Sequence, residues 1–261
     1  KIANWTRTDQ THLTVCGLNG SSKALVAAAL FDHWKIPLMI VLDDAESAGY
    51  FYHDLTQLLD KQQVLFFPTA YRHAHKHGAT DAANEILRAD TLNQLQTQNC
   101  CITIAYPDAL MEKVVSAGVF DDNKLTIAKG SEIAGDKIAE TLEQLGFEYV
   151  DFVYEPGQFS IRGSIIDIFS FANELPFRID LFGDEVESIR TFDIEKQLSL
   201  EEQQQITIVP DMNTLGGEQV SLFEFLQPNT IVCANDLRFV SQRANMVYDE
   251  ALVKANETRQ T

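Results

Sequence analysis

Hydrophobic and polar positions change their rhythm part-way along the chain. Before about residue 121, short continuous apolar runs alternate with amphipathic stretches. His12-Leu13-Thr14-Val15-Cys16 reads as a buried strand ended by Gly17-Leu18-Asn19-Gly20, and residues 22–34, rich in Ala and Leu, read as a helix. Residues 37–42 form a second strand signal, and Asp43 and Asp44 are good N-caps for a helix over 45–59. A third strand at 64–67 is closed by Pro68. A helix near 81–96, a strand at 101–105 and a helix over 108–116 opened by Pro107 follow. Apolar strands alternating with amphipathic helices predict a parallel sheet covered on both faces.

Beyond residue 121 the period shortens. One helix is predicted at 131–145, then strands at 149–154, 158–169, 177–182 and 185–192, separated by Pro156-Gly157, Asn173-Glu174 with Pro176, and Gly183-Asp184. Turn residues at this spacing predict an antiparallel meander, a small α+β domain. The acidic, Gln-rich run at 200–205 reads as a linker or an exposed helix turn. A possible helix at 222–226, a strand at 230–233 and a helix at 237–254 return to the α/β pattern. The simplest architecture is an α/β domain split into 1–122 and 208–261, with a second domain, 123–207, inserted.

Charge then narrows the function. The 261 residues carry 20 basic and 38 acidic side chains, net −18, divided as −3 over 1–120 and −15 over 121–261. Such a surface repels phosphate backbones, which argues against duplex DNA binding, above all by the second half. No apolar run approaches the ~20 residues of a membrane span. There is no signal-peptide core at the start, and four cysteines without C-x-x-C spacing suggest a reducing compartment. The expectation is a cytoplasmic protein without a membrane partner.

Three motifs carry possible chemistry. Gly17-Leu18-Asn19-Gly20-Ser21-Ser22-Lys23-Ala24 has the frame of a phosphate-binding loop, with its first Gly and its Lys in place. Ser22 stands where the second Gly belongs, and Ala24 removes the hydroxyl that would hold Mg²⁺, so hydrolysis is disfavoured. The tract Tyr71-Arg72-His73-Ala74-His75-Lys76-His77 offers alternate histidines, but no obvious Cys or carboxylate completes a metal site and Gly78 points to an exposed loop. The third motif is Phe177-Arg178-Ile179-Asp180-Leu181-Phe182. A period of two puts Arg178, Asp180 and Phe182 on one face, and Arg162 takes the corresponding side of its own strand. Arg and aromatic residues mark interface hot spots, so these three are candidates for one patch. The alternative is that Arg178 pairs with local carboxylates while Phe182 packs under a loop.

The stretches 17–24, Phe152-Val153-Tyr154-Glu155-Pro156-Gly157-Gln158-Phe159-Ser160-Ile161-Arg162-Gly163, Ile166-Asp167-Ile168-Phe169, 176–186 and 190–193 resemble the N-terminal region of the bacterial transcription-repair coupling factors, the Mfd family. That region is itself similar to the first domains of the excision-repair subunit UvrB. The resemblance implies a degenerate nucleotide-binding-like parallel-sheet domain, split by an inserted UvrA-binding domain. It assigns UvrA contact to Arg162, Arg178 and Phe182, with guanidinium forks on partner carboxylates and the ring in a pocket. Two features depart from UvrB: Ala234-Asn235-Asp236 stands in place of its Asp-Glu metal motif, and 67–87 is too short for its DNA-clamping hairpin. The resemblance therefore implies a non-catalytic fragment without a cofactor of its own. ATP, Mg²⁺, RNA polymerase and DNA would be engaged by regions beyond residue 261. In the resting full-length protein, its C-terminal domain would mask the UvrA-binding face. The competing expectation is a UvrB-related enzyme that binds or hydrolyses nucleotide at Gly17, Gly20, Ser22, Lys23 and Ala24.

Overall fold

A computed structural model describes residues 12–70, 82–212 and 214–258. The first elements are α1 (Ser22–Trp34), β1 (Leu38–Val41), α2 (Ala45–Thr56), β2 (Val64–Phe66), α3 (Ala82–Thr97), β3 (Ile102–Ala105) and α4 (Pro107–Met111). There follow β4 (Val114–Val115), α5 (Ala117–Asp122), β5 (Leu125–Ala128), α6 (Gly135–Gln144), β6 (Glu148–Tyr149), β7 (Gln158–Arg162), β8 (Ile165–Ile168), β9 (Phe177–Phe182) and β10 (Glu185–Phe192). The last are β11 (Ser199–Gln203), β12 (Gln205–Ile208), β13 (Gln219–Val220), β14 (Ile231–Ala234) and α7 (Leu237–Thr258). They form two compact units.

The first unit comprises Lys1–Asn84, Thr91–Lys113 and Ser221–Thr261. Its four-stranded sheet has the order β14-β1-β3-β2, all parallel, with Leu38 opposite both Ile102 and Ile231. β1 and β3 are buried at every position, as a helix-covered parallel sheet requires of Leu-Met-Ile-Val and Ile-Thr-Ile-Ala. Asp44 caps α2 by accepting from the Ser47 N–H at 2.8 Å, and Pro107 opens α4. Arg243 of α7 pairs with Asp108 of α4. The strand expected at 12–16 does not form; those residues are exposed and belong to no ladder. Leu13 and Val15 alternate with His12, Thr14 and Cys16, which offers one apolar face where such a sheet demands two. The histidine tract at 71–77 lies outside the described residues.

The second unit comprises Glu85–Asp90 and Val114–Val220. Its six-stranded sheet runs β11-β10-β9-β8-β7-β6, antiparallel throughout except for the parallel β6–β7 pair. One face carries the core. Ile138 and Leu142 of α6 pack with Phe159, Ile166, Ile168, Ile179, Val186 and Ile189, each side chain worth roughly 1.5–3 kcal/mol of burial. The strand expected over 158–169 is instead the hairpin β7–β8, and β9–β10 is a second hairpin. Their two-residue turns place Gly163 at φ +63° and Gly183 at φ +64°, the positive first position that suits the right-handed twist of paired strands. The expected linker at 200–205 is β11 running into β12. Leu198 and Leu200 stay exposed on that edge, so the polar run is an edge strand rather than a tether. The helix expected from 131 begins at Gly135, because Glu132 forms a bridge to Glu185 and Ile133 donates its N–H to the Asp184 carbonyl. Of the run expected at 149–154 only Tyr149 is strand, joined to Glu148 in β6; the rest crosses as a loop. All four cysteines are unpaired. Among the described residues no helix is long and apolar enough to cross a membrane.

Candidate functional site

The face of the six-stranded sheet opposite α6 carries the chemistry. Along β9, Phe177, Ile179 and Leu181 are buried in the core, so Arg178, Asp180 and Phe182 turn outward. Strand register brings Ser160, Asp167, Arg178 and Arg190 into one row across β7–β10. The next row holds Arg162, Ile165, Asp180 and Ser188, and Phe182 lies one step further, beside the Gly183-Asp184 turn.

Asp167 organises the middle row. Its side chain is 1% exposed, and it accepts from Arg178 through both oxygens, Nε to Oδ1 at 2.7 Å and Nη2 to Oδ2 at 2.9 Å. Arg178 also donates to the Gln197 carbonyl and side-chain oxygen, each at 3.2 Å, and lies 4.4 Å from the centroid of the buried Phe192 ring. Hydrogen bonding to Asp167 holds the Arg178 guanidinium above its already high pKa. The fork expected to meet a partner is therefore occupied from within, and only 15% of that side chain reaches solvent. Paired guanidinium and carboxylate satisfy one another, which is what makes burial of both tolerable.

Arg162 reaches back to the same carboxylate. Its Nη2 bonds Asp167 Oδ2, while its Nη1 donates to Ser160 Oγ and to the Asp151 carbonyl, both at 2.9 Å. Its guanidinium lies 5.0 Å from the centroid of Phe152, and its side chain is 35% exposed, more than twice the figure for Arg178. The loop beneath is anchored: Val153 is buried with Phe169 and Phe192, and Gln158 Oε1 accepts from the Tyr154 and Glu155 N–H groups. Arg190 bonds Asp180 and Ser188. The three arginines share the face with four acids, since Glu202 stands opposite Arg190 and Glu185 opposite Phe182 beside the two aspartates, so charges alternate across it rather than forming a cationic patch.

Phe182 is 77% exposed. The ring stands in water at the strand end, with Glu185 opposite it and Asp180 two residues before it on the same face.

The loop Gly17–Ala24 shows a different state. Ser22 Oγ donates to the Asn19 carbonyl at 2.6 Å and accepts from the Asn19 N–H, closing the loop on itself. Lys23 Nζ donates to Asn235 Oδ1 at 2.9 Å, and Asn235 Nδ2 donates to Asp43 Oδ2 at 3.0 Å. No strand leads into it. The strand–loop–helix frame of a phosphate loop is thus present only in its helix, α1.

Residues 125–213, which contain the whole outward face, match the family described as UvrB interaction domain. The chain around them is 29% identical over 252 residues to the transcription-repair-coupling factor of Bacillus subtilis, covering 94% of this chain and 21% of that protein. It is 28% identical to the Escherichia coli factor (74% of this chain, 17% of that one) and 32% to that of Haemophilus influenzae (66% and 15%). The chain is a relative of the bacterial transcription-repair-coupling factors. It spans about a fifth of their length or less.

Within this UvrB interaction segment the structure brings Arg162 and Arg178 onto one carboxylate and sets Phe182 on the same outward face. Of the alternative reading, the half that paired Arg178 locally is correct, and the half that packed Phe182 under a loop is not. Sequence reasoning missed Asp167, Gln197 and Phe152. Asp167 had a signal, an acid inside the apolar run Ile165-Ile166-Asp167-Ile168-Phe169, where only a partnered carboxylate is tolerated. Gln197, held at φ +56°, had none.

Proposed function

We propose that this chain is a non-catalytic docking module that binds UvrA through the outward face of its second unit. In this way it would link stalled transcription to nucleotide excision repair. The observation that carries the reading is the exposed Phe182 ring beside the Arg162–Asp167–Arg178 cluster, inside a segment that matches a UvrB interaction domain. The ring fills an apolar pocket on the partner, and the part-exposed guanidinium of Arg162 meets an acidic side chain there. The loop at 17–24 takes no nucleotide in this reading. Its Lys is held by Asn235, its Ser22 hydroxyl is turned into the loop, and Ala24 provides no ligand for Mg²⁺. RNA polymerase, DNA and ATP belong to other parts of the full-length protein, and its C-terminal domain covers this face at rest.

Titration of the chain with UvrA tests the proposal. Phe182→Ala is expected to weaken binding at least thirtyfold, equivalent to about 2 kcal/mol. Charge reversal by Arg162→Glu should abolish it and, by setting a second carboxylate against the buried Asp167, lower the thermal midpoint, whereas the midpoint of Phe182→Ala stays near the parent's. Affinities within twofold of the parent for both variants would overturn it.

A further inference from the structure

The two arginines on the docking face are not equivalent. In Arg178, four of the five N–H donors are satisfied by Asp167 and Gln197, one guanidinium face is covered by Phe192, and little of the side chain meets solvent. Arg162 retains its Nε–H and one Nη2–H without an acceptor among the described residues, and its guanidinium leans on a ring that is itself 48% exposed. That ring, Phe152, is fixed. Residues 152, 153 and 154 alternate out, in and out, and the inward Val153 is 1% exposed in a cluster with Phe169 and Phe192. Phe152 is therefore presented without loop ordering at the moment of binding, a condition that favours a hot spot.

We infer that Phe152 is a second aromatic contact of this face, acting with Arg162 as a stacked cation–aromatic anchor, and that Arg178 is a positioning residue that holds Asp167, and through it Arg162, in place. The inference rests on the docking function proposed above. Two rings, Phe182 at the hairpin end and Phe152 on the anchored loop, bracket the rows that hold the arginines and their acids. The strand spacing between β7 and β9 sets them roughly 10 Å or more apart. The surface that fits this bracket is a protein ridge with carboxylates between two apolar notches. A nucleic acid backbone fits less well, because the arginines are paired with Asp167 and Asp180, and Glu185 and Glu202 on the same rows leave no excess of positive charge.

The test is titration with purified UvrA, using six variants of the whole chain (Phe152→Ala, Phe152→Tyr, Arg162→Ala, the double alanine, Arg178→Lys and Phe182→Ala), each checked by its thermal midpoint. Phe152→Ala should weaken binding about tenfold, and Phe152→Tyr should stay within twofold because the ring is kept. Combining Phe152→Ala with Arg162→Ala should weaken binding by less than the product of the two single effects, because each ring–cation partner depends on the other. Arg178→Lys, which keeps the charge but loses the fork, should weaken binding and lower the thermal midpoint together. If Phe152→Ala stays within twofold while Phe182→Ala abolishes binding, this inference fails and the docking function stands. If both alanine variants bind as the parent does, or if the parent does not bind UvrA, the docking function fails and takes this inference with it.

Discussion

The loop at 17–24 and the outward face of β7–β10 both stand out in the amino-acid sequence, and they meet opposite fates in the fold. Around the loop, the groups that a phosphate would need are consumed locally. Ser22 bonds Asn19, Lys23 bonds Asn235, and residues 12–16 join no sheet. Around β7–β10, internal bonding does the reverse. Asp167 and Gln197 hold two cations in fixed positions, and the strand end leaves Phe182 in water. The same kind of interaction, a side chain satisfied within the chain, closes one region and prepares the other. What separates them is whether anything remains uncovered once the internal bonds are made.

The largest expected effect comes from removing the centre of the second region. Asp167→Ala leaves two guanidinium groups around an empty, buried position, and should cost about 3 kcal/mol of stability, read as a lowered denaturant midpoint. A loss below about 1 kcal/mol would mean that the cluster is not what fixes the face. Phe182→Ala should do the opposite, changing stability by less than about 0.5 kcal/mol while removing affinity for UvrA, because an exposed ring contributes little to the fold.

Smaller effects are expected in the first unit. Rebuilding the loop by Ser22→Gly with Ala24→Thr should not create ATP binding, because no strand enters the loop and Asn235 still holds Lys23. Saturable binding of MgATP at micromolar concentration would break the comparison. The thiols offer the finest check on that unit. Burial pushes the Cys101 thiol up to about 11, so at pH 8 roughly one part in a thousand is thiolate, whereas Cys16 is exposed. Alkylation at pH 8 should label Cys16 and spare Cys101, whose labelling rises only as the pH approaches 11; equal rates would show that Cys101 is open to solvent.

Period and turn chemistry made much of this legible in advance. β9 and β10 begin and end where the alternation and the Gly183-Asp184 turn place them, and α1 runs over its predicted span. Two kinds of feature were hidden. The run His12–Cys16 has a strand's composition, yet a parallel sheet selects for apolarity on both faces, which a single segment does not display until its neighbours are known. Asp167 carried a signal, an acid within an apolar run, but not its partners, because 158–169 reads as one strand rather than as the hairpin β7–β8 that sets Asp167 between Arg162 and Arg178. The outward set of Arg162, Arg178 and Phe182 was visible because alternation alone decides faces. The division of labour between the two arginines was not, because it depends on which donors the fold has already satisfied.

Hydroxyl-radical footprinting of the chain with and without UvrA compares the two regions in one measurement. On UvrA addition, oxidation of the exposed Phe182 and Phe152 rings should fall severalfold, while the exposed Leu25 and Tyr50 of the first unit keep their rates. Protection that appears around 17–25 instead, or unchanged oxidation at Phe182 in a complex that demonstrably forms, would contradict the account.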